Sequence, residues 1–233
     1  MSQAYYCAFN LKEVYFDGWD TSKVTTFSSC FNNCYDLEVI PISHITTDSA
    51  SNLASMFSNC HRLKNININH FNINKATSLN YLFNGCRSIE NIEMSELVGT
   101  EKLTNIMGMF YDCRCLKSVD VSNLNVSNTT NFTRIFLNCR QLKYINLSTW
   151  DTSNVTTFLS MFEGCSRLEV VDLSGWDVKL VTSTESMFRD CYQLKKIIGL
   201  EEWELISITT TYGMFYNCYT LDIDFKIKTW NIS

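Results

Sequence analysis

The sequence predicts an α/β solenoid: a right-handed stack of about nine units of 26–27 residues, each a strand, a turn and a short helix, with a parallel sheet along one face. Three observations carry this. First, a Phe, two residues, a Cys, two residues and a Leu or Ile recur at Phe31/Cys34/Leu37, Phe57/Cys60/Leu63, Phe83/Cys86/Ile89, Phe110/Cys113/Leu116, Phe136/Cys139/Leu142, Phe162/Cys165/Leu168, Phe188/Cys191/Leu194 and Phe215/Cys218/Leu221, with a partial copy around Cys7 and Leu11. Second, each Leu is followed by an apolar alternation, as in Val119/Val121, Ile145/Leu147 and Val171/Leu173, which marks a strand with one face buried. Third, the stretch before each Phe carries apolar residues at helical spacing, as in Val155, Phe158, Met161 and Phe162, or Leu103, Ile106, Met109 and Phe110.

A residue that is often Trp follows the strand at a fixed offset: Trp19, Trp150, Trp176, Trp203 and Trp230, replaced elsewhere by Ile45, Phe71, Leu97 and Leu124. It defines a second core column. Asp20, Asp151 and Asp177 come next and supply acceptors for the backbone donors left open at the start of the expected helix. The first copy carries Val24, Phe27 and Phe31 with Cys30 in the usual Met position. The residue before each repeat Cys is Asn33, Asn59, Gly85, Asp112, Asn138, Gly164, Asp190 or Asn217, all types that tolerate positive φ, so the column reads as the left-handed residue turning the chain back to the strand.

One such unit cannot bury its apolar face, whereas a stack shares one core, so residues 1–233 read as a single domain. No Pro-, Gly- or Ser-rich linker interrupts the period; Pro41 is the only proline, and single extra residues near Gly99 and Gly199 fall in turns. A stack needs polar terminal units, yet the chain begins almost at once in a repeat and stops with Trp230 and Ile232 in need of cover. The expectation is a fragment, or a subunit that self-associates through uncapped ends.

Phrases such as Met161-Phe-Glu-Gly-Cys-Ser-Arg-Leu168 followed by Val171-Asp-Leu-Ser-Gly-Trp-Asp-Val178 resemble the BspA-like leucine-rich repeat family, over nearly the whole chain. The resemblance implies a leucine-rich-repeat-like fold and a non-catalytic surface recognition or adhesion module. It implies a protein or glycan partner on a host or microbial surface and an extracellular or cell-surface location. It carries no set of functional residues to transfer.

The net charge of -5 and a pI near 5.2 give no basic excess for nucleic acid. No run of about 18 apolar residues exists to span a membrane, and Met1-Ser-Gln-Ala lacks the start of a secretory signal. Of eleven cysteines, eight share one repeat position where a small buried hydrophobe fits, so they read as free thiols; Cys7, Cys30 and Cys115 lie outside it, and Cys115 is expected to be exposed. Cys113 and Cys115 form the closest pair of metal-ligand type, without a nearby His in the repeat frame, so no metal or other cofactor is expected. His44, His61 and His70 occupy different repeat positions and read as surface residues with no nucleophile to serve; no enzyme is expected.

Two surfaces remain. Between the buried strand residues an outward ladder runs Tyr15, Pro41, Asn67, Glu93, Asp120, Asn146 and Asp172, with Tyr144 two residues before Asn146. It reads either as a solvated face or as a patch for a cation or basic partner, its aromatics being of the type favoured at interfaces. Along one edge, Arg87, Arg114 and Arg140 follow the Cys, Arg62 and Arg167 lie one place on, and Lys64, Lys117, Lys143 and Lys195 follow the Leu. Glu38, Glu90 and Glu169 dilute the Lys column. The edge reads either as ordinary charged surface or as a site for an anionic glycan or lipid headgroup. The leading expectation is recognition through the sheet face or the basic edge; a structural or attachment part of a phage virion, in tail or head decoration, is the alternative.

Overall fold

The alternation after each repeat Leu folds as short strands: β1 (Asn65–Asn67), β2 (Asn91–Glu93), β3 (Ser118–Val119), β4 (Tyr144–Asn146), β5 (Val170–Asp172) and β6 (Lys196–Ile198). All pairings are parallel and in register at one repeat, Ile66↔Ile92↔Val119 and Ile145↔Val171↔Ile197. Each coil therefore lies directly on the previous one. These come from a computed structural model describing residues 1–16 and 18–222; the expected cover for Trp230 and Ile232 lies outside the described residues. The single expected sheet is instead two three-stranded sheets, β1-β2-β3 and β4-β5-β6.

The short helices are absent: among the described residues there is no α-helix, and only three 3-10 turns, at Ile42–His44, Thr100–Lys102 and Leu200–Glu202. Two consecutive four-residue turns occupy the segment. In the second copy Met56 N–H donates to Leu53 O and Cys60 N–H to Phe57 O, while Ser55, Phe57 and Asn59 N–H donate to Asn80, Leu82 and Asn84 O of the next coil. Tandem turns also place Leu53, Met56, Phe57 and Cys60 inward, so apolar spacing alone does not separate them from a helix. Coil spacing does. The repeat Phe rings here stand only 5.3–6.0 Å apart, whereas a helix with its side chains is about 10 Å across.

All eight residues before the repeat Cys have positive φ, 59–71°, as expected. A second left-handed column four residues earlier, Ser29, Ser55, Tyr81, Gly108, Arg134, Ser160, Ser186 and Gly213, ends the first turn of each pair. Its residue types gave no warning. Cys7 also has positive φ, 59°, and Tyr5 stacks on Phe31 at 5.4 Å, so in the partial first copy Cys7 fills the left-handed position rather than the Cys position.

The core runs along the stack as columns. Phe31, Phe57, Phe83, Phe110, Phe136, Phe162, Phe188 and Phe215 form one continuous pile with adjacent planes within 11°. Trp150, Trp176 and Trp203 are buried with Ile45, Phe71, Leu97 and Leu124, but Trp19, in the first coil, is 43% exposed. The Trp150 and Trp176 indoles donate to Val121 O and Leu147 O of the preceding coil. All eleven cysteines are free; Cys115 is half-buried rather than exposed. The column calls for more than a small hydrophobe, because each thiol donates to the carbonyl of the preceding coil's stacked aromatic, Cys34 to Tyr5 and the other seven to a Phe, as Cys139 does to Phe110 at 3.1 Å and Cys165 to Phe136 at 3.0 Å.

Corners are closed by short polar side chains accepting the N–H two residues on, a local bond that lets Asn, Asp, Ser and Thr set turns. Asp20, Asp151 and Asp177 do this for Ser22, Ser153 and Lys179; they cap turns, not helices. Asn52, Asn105 and Asn131 do the same at the tandem-turn corner.

Where the period slips by one residue, Gly99 takes φ 80° and its hydrogen faces the backbone of Asn74; a Cβ there would stand 2.4 Å from Asn74 N. Gly18, at φ 77°, has open space. Gly99→Ala is expected to lose about 2–4 kcal/mol, combining a left-handed penalty of about 1–2 with the overpacking, and Gly18→Ala only about 1–2. Urea denaturation checks the pair, and equal losses would show that the backbone contact does not matter.

Candidate functional site

The sheet face presents the strand residues that alternate away from the core. Tyr15, Asn67, Glu93, Asp120, Tyr144 and Asn146 are exposed and Asp172 is half-buried. In-register pairing places Asn67 beside Glu93, where the Asn67 amide donates to Glu93 Oε2 at 2.5 Å, and Asn146 beside Asp172. It does not make one unbroken ladder, because pairing stops between β3 and β4. Tyr15 stands apart in the first coil and donates to Glu13.

Part of this ladder is structural. Asp120, Asn146 and Asp172 each spend one oxygen on the N–H of Ser122, Ser148 or Ser174, at 3.0, 2.9 and 3.0 Å. The bond from Ser122 holds the Asp120 carboxyl below its ordinary range. The second oxygens of Asp120 and Asp172 accept nothing from the described residues. Tyr144, 51% exposed and paired in register with Val170, adds an aromatic surface next to Asn146.

Along the edge much of the basic charge is paired with carboxylates. Arg87 Nε and Arg114 Nε both bind the mostly buried Asp112, at 3.0 and 2.8 Å, so two of the three post-Cys arginines are spent on one carboxylate. Lys117 pairs with Glu90 at 2.6 Å and Lys195 with Glu169 at 2.7 Å, bonds that hold both carboxyls below their ordinary range. Register explains the neutralisation: in this column Glu90 and Lys117, and Glu169 and Lys195, stand one coil apart. Arg140 is exposed and makes no ion pair among the described residues. The same column carries stacked rings at its two ends, Phe9 on Tyr35 on His61 and Tyr192 on Tyr219. His61 is half-buried and its imidazole is held below its ordinary value by burial and by Arg87.

At the start of the sheet lies an open groove of 630 Å³ bounded by Pro41, Ile66, Asn67, His70, Glu93 and Glu96. His70 Nε2 sits 3.0 Å from Ile42 O. Among the described residues no group of three or more His, Cys, Asp or Glu side chains could hold a metal ion, and no helix is long and apolar enough to cross a membrane.

The sequence matches, over residues 1–118 and again over 104–230, a family described as Mycoplasma protein of unknown function, DUF285. The chain belongs to that family. The two overlapping matches to the DUF285 chain follow from its internal repetition, and they are consistent with the BspA-like leucine-rich repeat resemblance carried by the same phrase. No curated protein matches it. Similar solved structures include a T. pallidum leucine-rich repeat protein, at 20% identity over 75% of this chain and 72% of that one, TM-score 0.49. A leucine-rich cell surface protein from Faecalibacterium prausnitzii is similar at 20% identity over 95% and 74%, TM-score 0.37. A leucine-rich repeat protein from Eubacterium ventriosum is similar at 18% identity over 82% and 52%, TM-score 0.45.

The groove in the DUF285 chain was not expected from its residues, since His70 and Glu96 lie outside the outward ladder. The one local signal was Pro41, which cannot donate to a strand ladder and so marks where pairing fails. The aromatic ends of the edge were visible as Tyr35, His61, Tyr192 and Tyr219 directly after the repeat Cys.

Proposed function

We propose that this chain is a non-catalytic recognition module that holds a protein or glycan of a host or microbial surface against its sheet face, and that it works outside the cell or at the cell surface. The observation that carries the reading is the outward row on stacked coils: Glu93, Asp120, Tyr144 and Asn146 are exposed and Asp172 is half-buried, all on or directly after strands paired in register. Solenoids bind through extended surfaces built by successive units, and a preorganised row loses little side-chain freedom on contact. The BspA-like resemblance and the repeat architecture support the same reading. The edge is the weaker candidate, because Arg87 and Arg114 are already bound to Asp112, and Lys117 and Lys195 to glutamates.

The test is binding of the purified chain to an array of extracellular-matrix proteins and of host and microbial glycans at low and physiological salt. A hit is expected to weaken about tenfold or more, about 1.4 kcal/mol, in Asp120→Lys/Asp172→Lys and to be unchanged in Arg140→Glu. The reverse pattern would move the site to the edge, and loss in neither would remove both faces.

A further inference from the structure

The groove at the start of the sheet is where the stack departs from its own pattern. In the sheets, strands of neighbouring coils are hydrogen bonded, as β1 is to β2. On its other side β1 meets Pro41 and the 3-10 turn Ile42–His44, and among the described residues no backbone hydrogen bond links Val39–His44 to β1. Pro41 has no N–H to give, and the Ile42 N–H turns back to Ile40 O at 2.9 Å. One edge of a strand is thus left with open donors and acceptors beside 630 Å³ of free space. An edge of this kind is a template for an added extended segment.

The walls define the segment's chemistry. The exposed Pro41 ring offers an apolar surface on the groove wall, suited to the methylene stem of a long side chain. Beyond it stand Glu93, fixed by the Asn67 amide, and Glu96. Neither has a basic partner among the described residues, in contrast to Glu90 and Glu169 on the flank, each paired to a lysine of the next coil. His70, on the same wall, is engaged with Ile42 O.

We propose that this groove takes an extended, basic peptide segment of a protein partner, its backbone against the open edge of β1 and a Lys or Arg side chain along Pro41 with its charge at Glu93 and Glu96. The proposal rests on the sheet-face reading and narrows its partner to a protein with an exposed basic strand or tail.

Fluorescence anisotropy with a labelled (Lys-Thr)5 decapeptide, and with the same peptide acetylated on every Lys, tests it on the full chain. Saturable binding is expected, weakened tenfold or more by acetylation and by Glu93→Gln/Glu96→Gln. The Glu93→Gln side chain retains a carbonyl oxygen to accept from the Asn67 amide, and unchanged circular dichroism verifies the fold. Glu201→Gln/Glu202→Gln, which removes the same charge from a distant exposed turn, is expected to stay within twofold of the parent. No binding to the parent chain, equal binding of the acetylated peptide, or equal weakening by both Gln pairs would each overturn the groove. A partner from the array that depends on Asp120 and Asp172 but not on Glu93 and Glu96 would overturn the groove and leave the sheet face standing.

Discussion

Raising the pH from about 8 to about 10 is expected to unfold the protein cooperatively, through the thiol column rather than through its surface charges. Cys60, Cys86, Cys113, Cys139, Cys165 and Cys191 are fully buried, and burial pushes their thiols up, to about 12 for Cys86 and Cys165 and well above the ordinary value for the other four. Each is also a donor to a Phe carbonyl, a bond that only the neutral thiol makes. In the unfolded chain the same thiols titrate near 8.5.

A group whose pKa is raised by folding contributes stability that is complete below its unfolded value and is lost as pH climbs toward the folded value. Above roughly pH 9 a thiol whose folded value is raised well past its unfolded one stays protonated when folded and loses its proton on unfolding, which costs about 1.4 kcal/mol per pH unit. Six acting together make a slope of about 8 kcal/mol per pH unit, set against a typical total of about 5–15 kcal/mol. Urea midpoints between about pH 7 and 10.5 measure it. Stability is expected to be flat to about pH 8 and then to fall steeply, and Cys139→Ala is expected to lower the slope by about 1.4 kcal/mol per pH unit. Constant stability through about pH 10 would show that the column does not hold its protons.

The thiol column also shows how far the residues alone reach. The spacing of Phe31, Phe57 and Phe83 dictates one coil per repeat, and Asn33, Asn59 and Gly85 dictate a left-handed turn before each Cys; both follow from local physics that a sequence displays. What the sequence left open is set by contacts between coils. Whether Leu53, Met56, Phe57 and Cys60 sit on a helix or on two turns depends on the distance to the next coil, and that the repeat Cys must be a donor depends on a carbonyl 29 residues away. The pairing along the edge was hidden for the same reason: Arg87, Arg114 and Asp112 look like separate members of the repeat until register brings two guanidiniums onto one carboxylate. The groove is legible only as the failure of a pairing around Pro41, and a failure has no motif.

Removing one ring from the middle of the Phe pile is expected to be the most damaging single substitution in the core. Phe136 is fully buried, with Phe110 at 5.3 Å and 9° on one side and Phe162 at 5.4 Å and 4° on the other. Its neighbours are held at coil spacing by backbone bonds, Phe136 N–H to Met161 O and Phe110 N–H to Ile135 O, so they cannot close over the gap. Phe136→Ala is therefore expected at the upper end of the roughly 3–5 kcal/mol typical for a buried Phe. Phe136→Leu keeps most of the volume but loses two ring contacts worth about 0.5–1.5 kcal/mol each, so about 1–3 kcal/mol is expected for it. Because each coil touches only its neighbours, the loss falls on the junctions at either side of the Phe136 coil, and hydrogen exchange should accelerate there first and spread outward. Urea denaturation reads the magnitude and exchange the location. A Phe136→Ala cost below about 1 kcal/mol, against the buried-Phe expectation, would mean that the pile is a passive consequence of the backbone ladders; a large cost with exchange confined to that region means the rings are what couples one coil to the next.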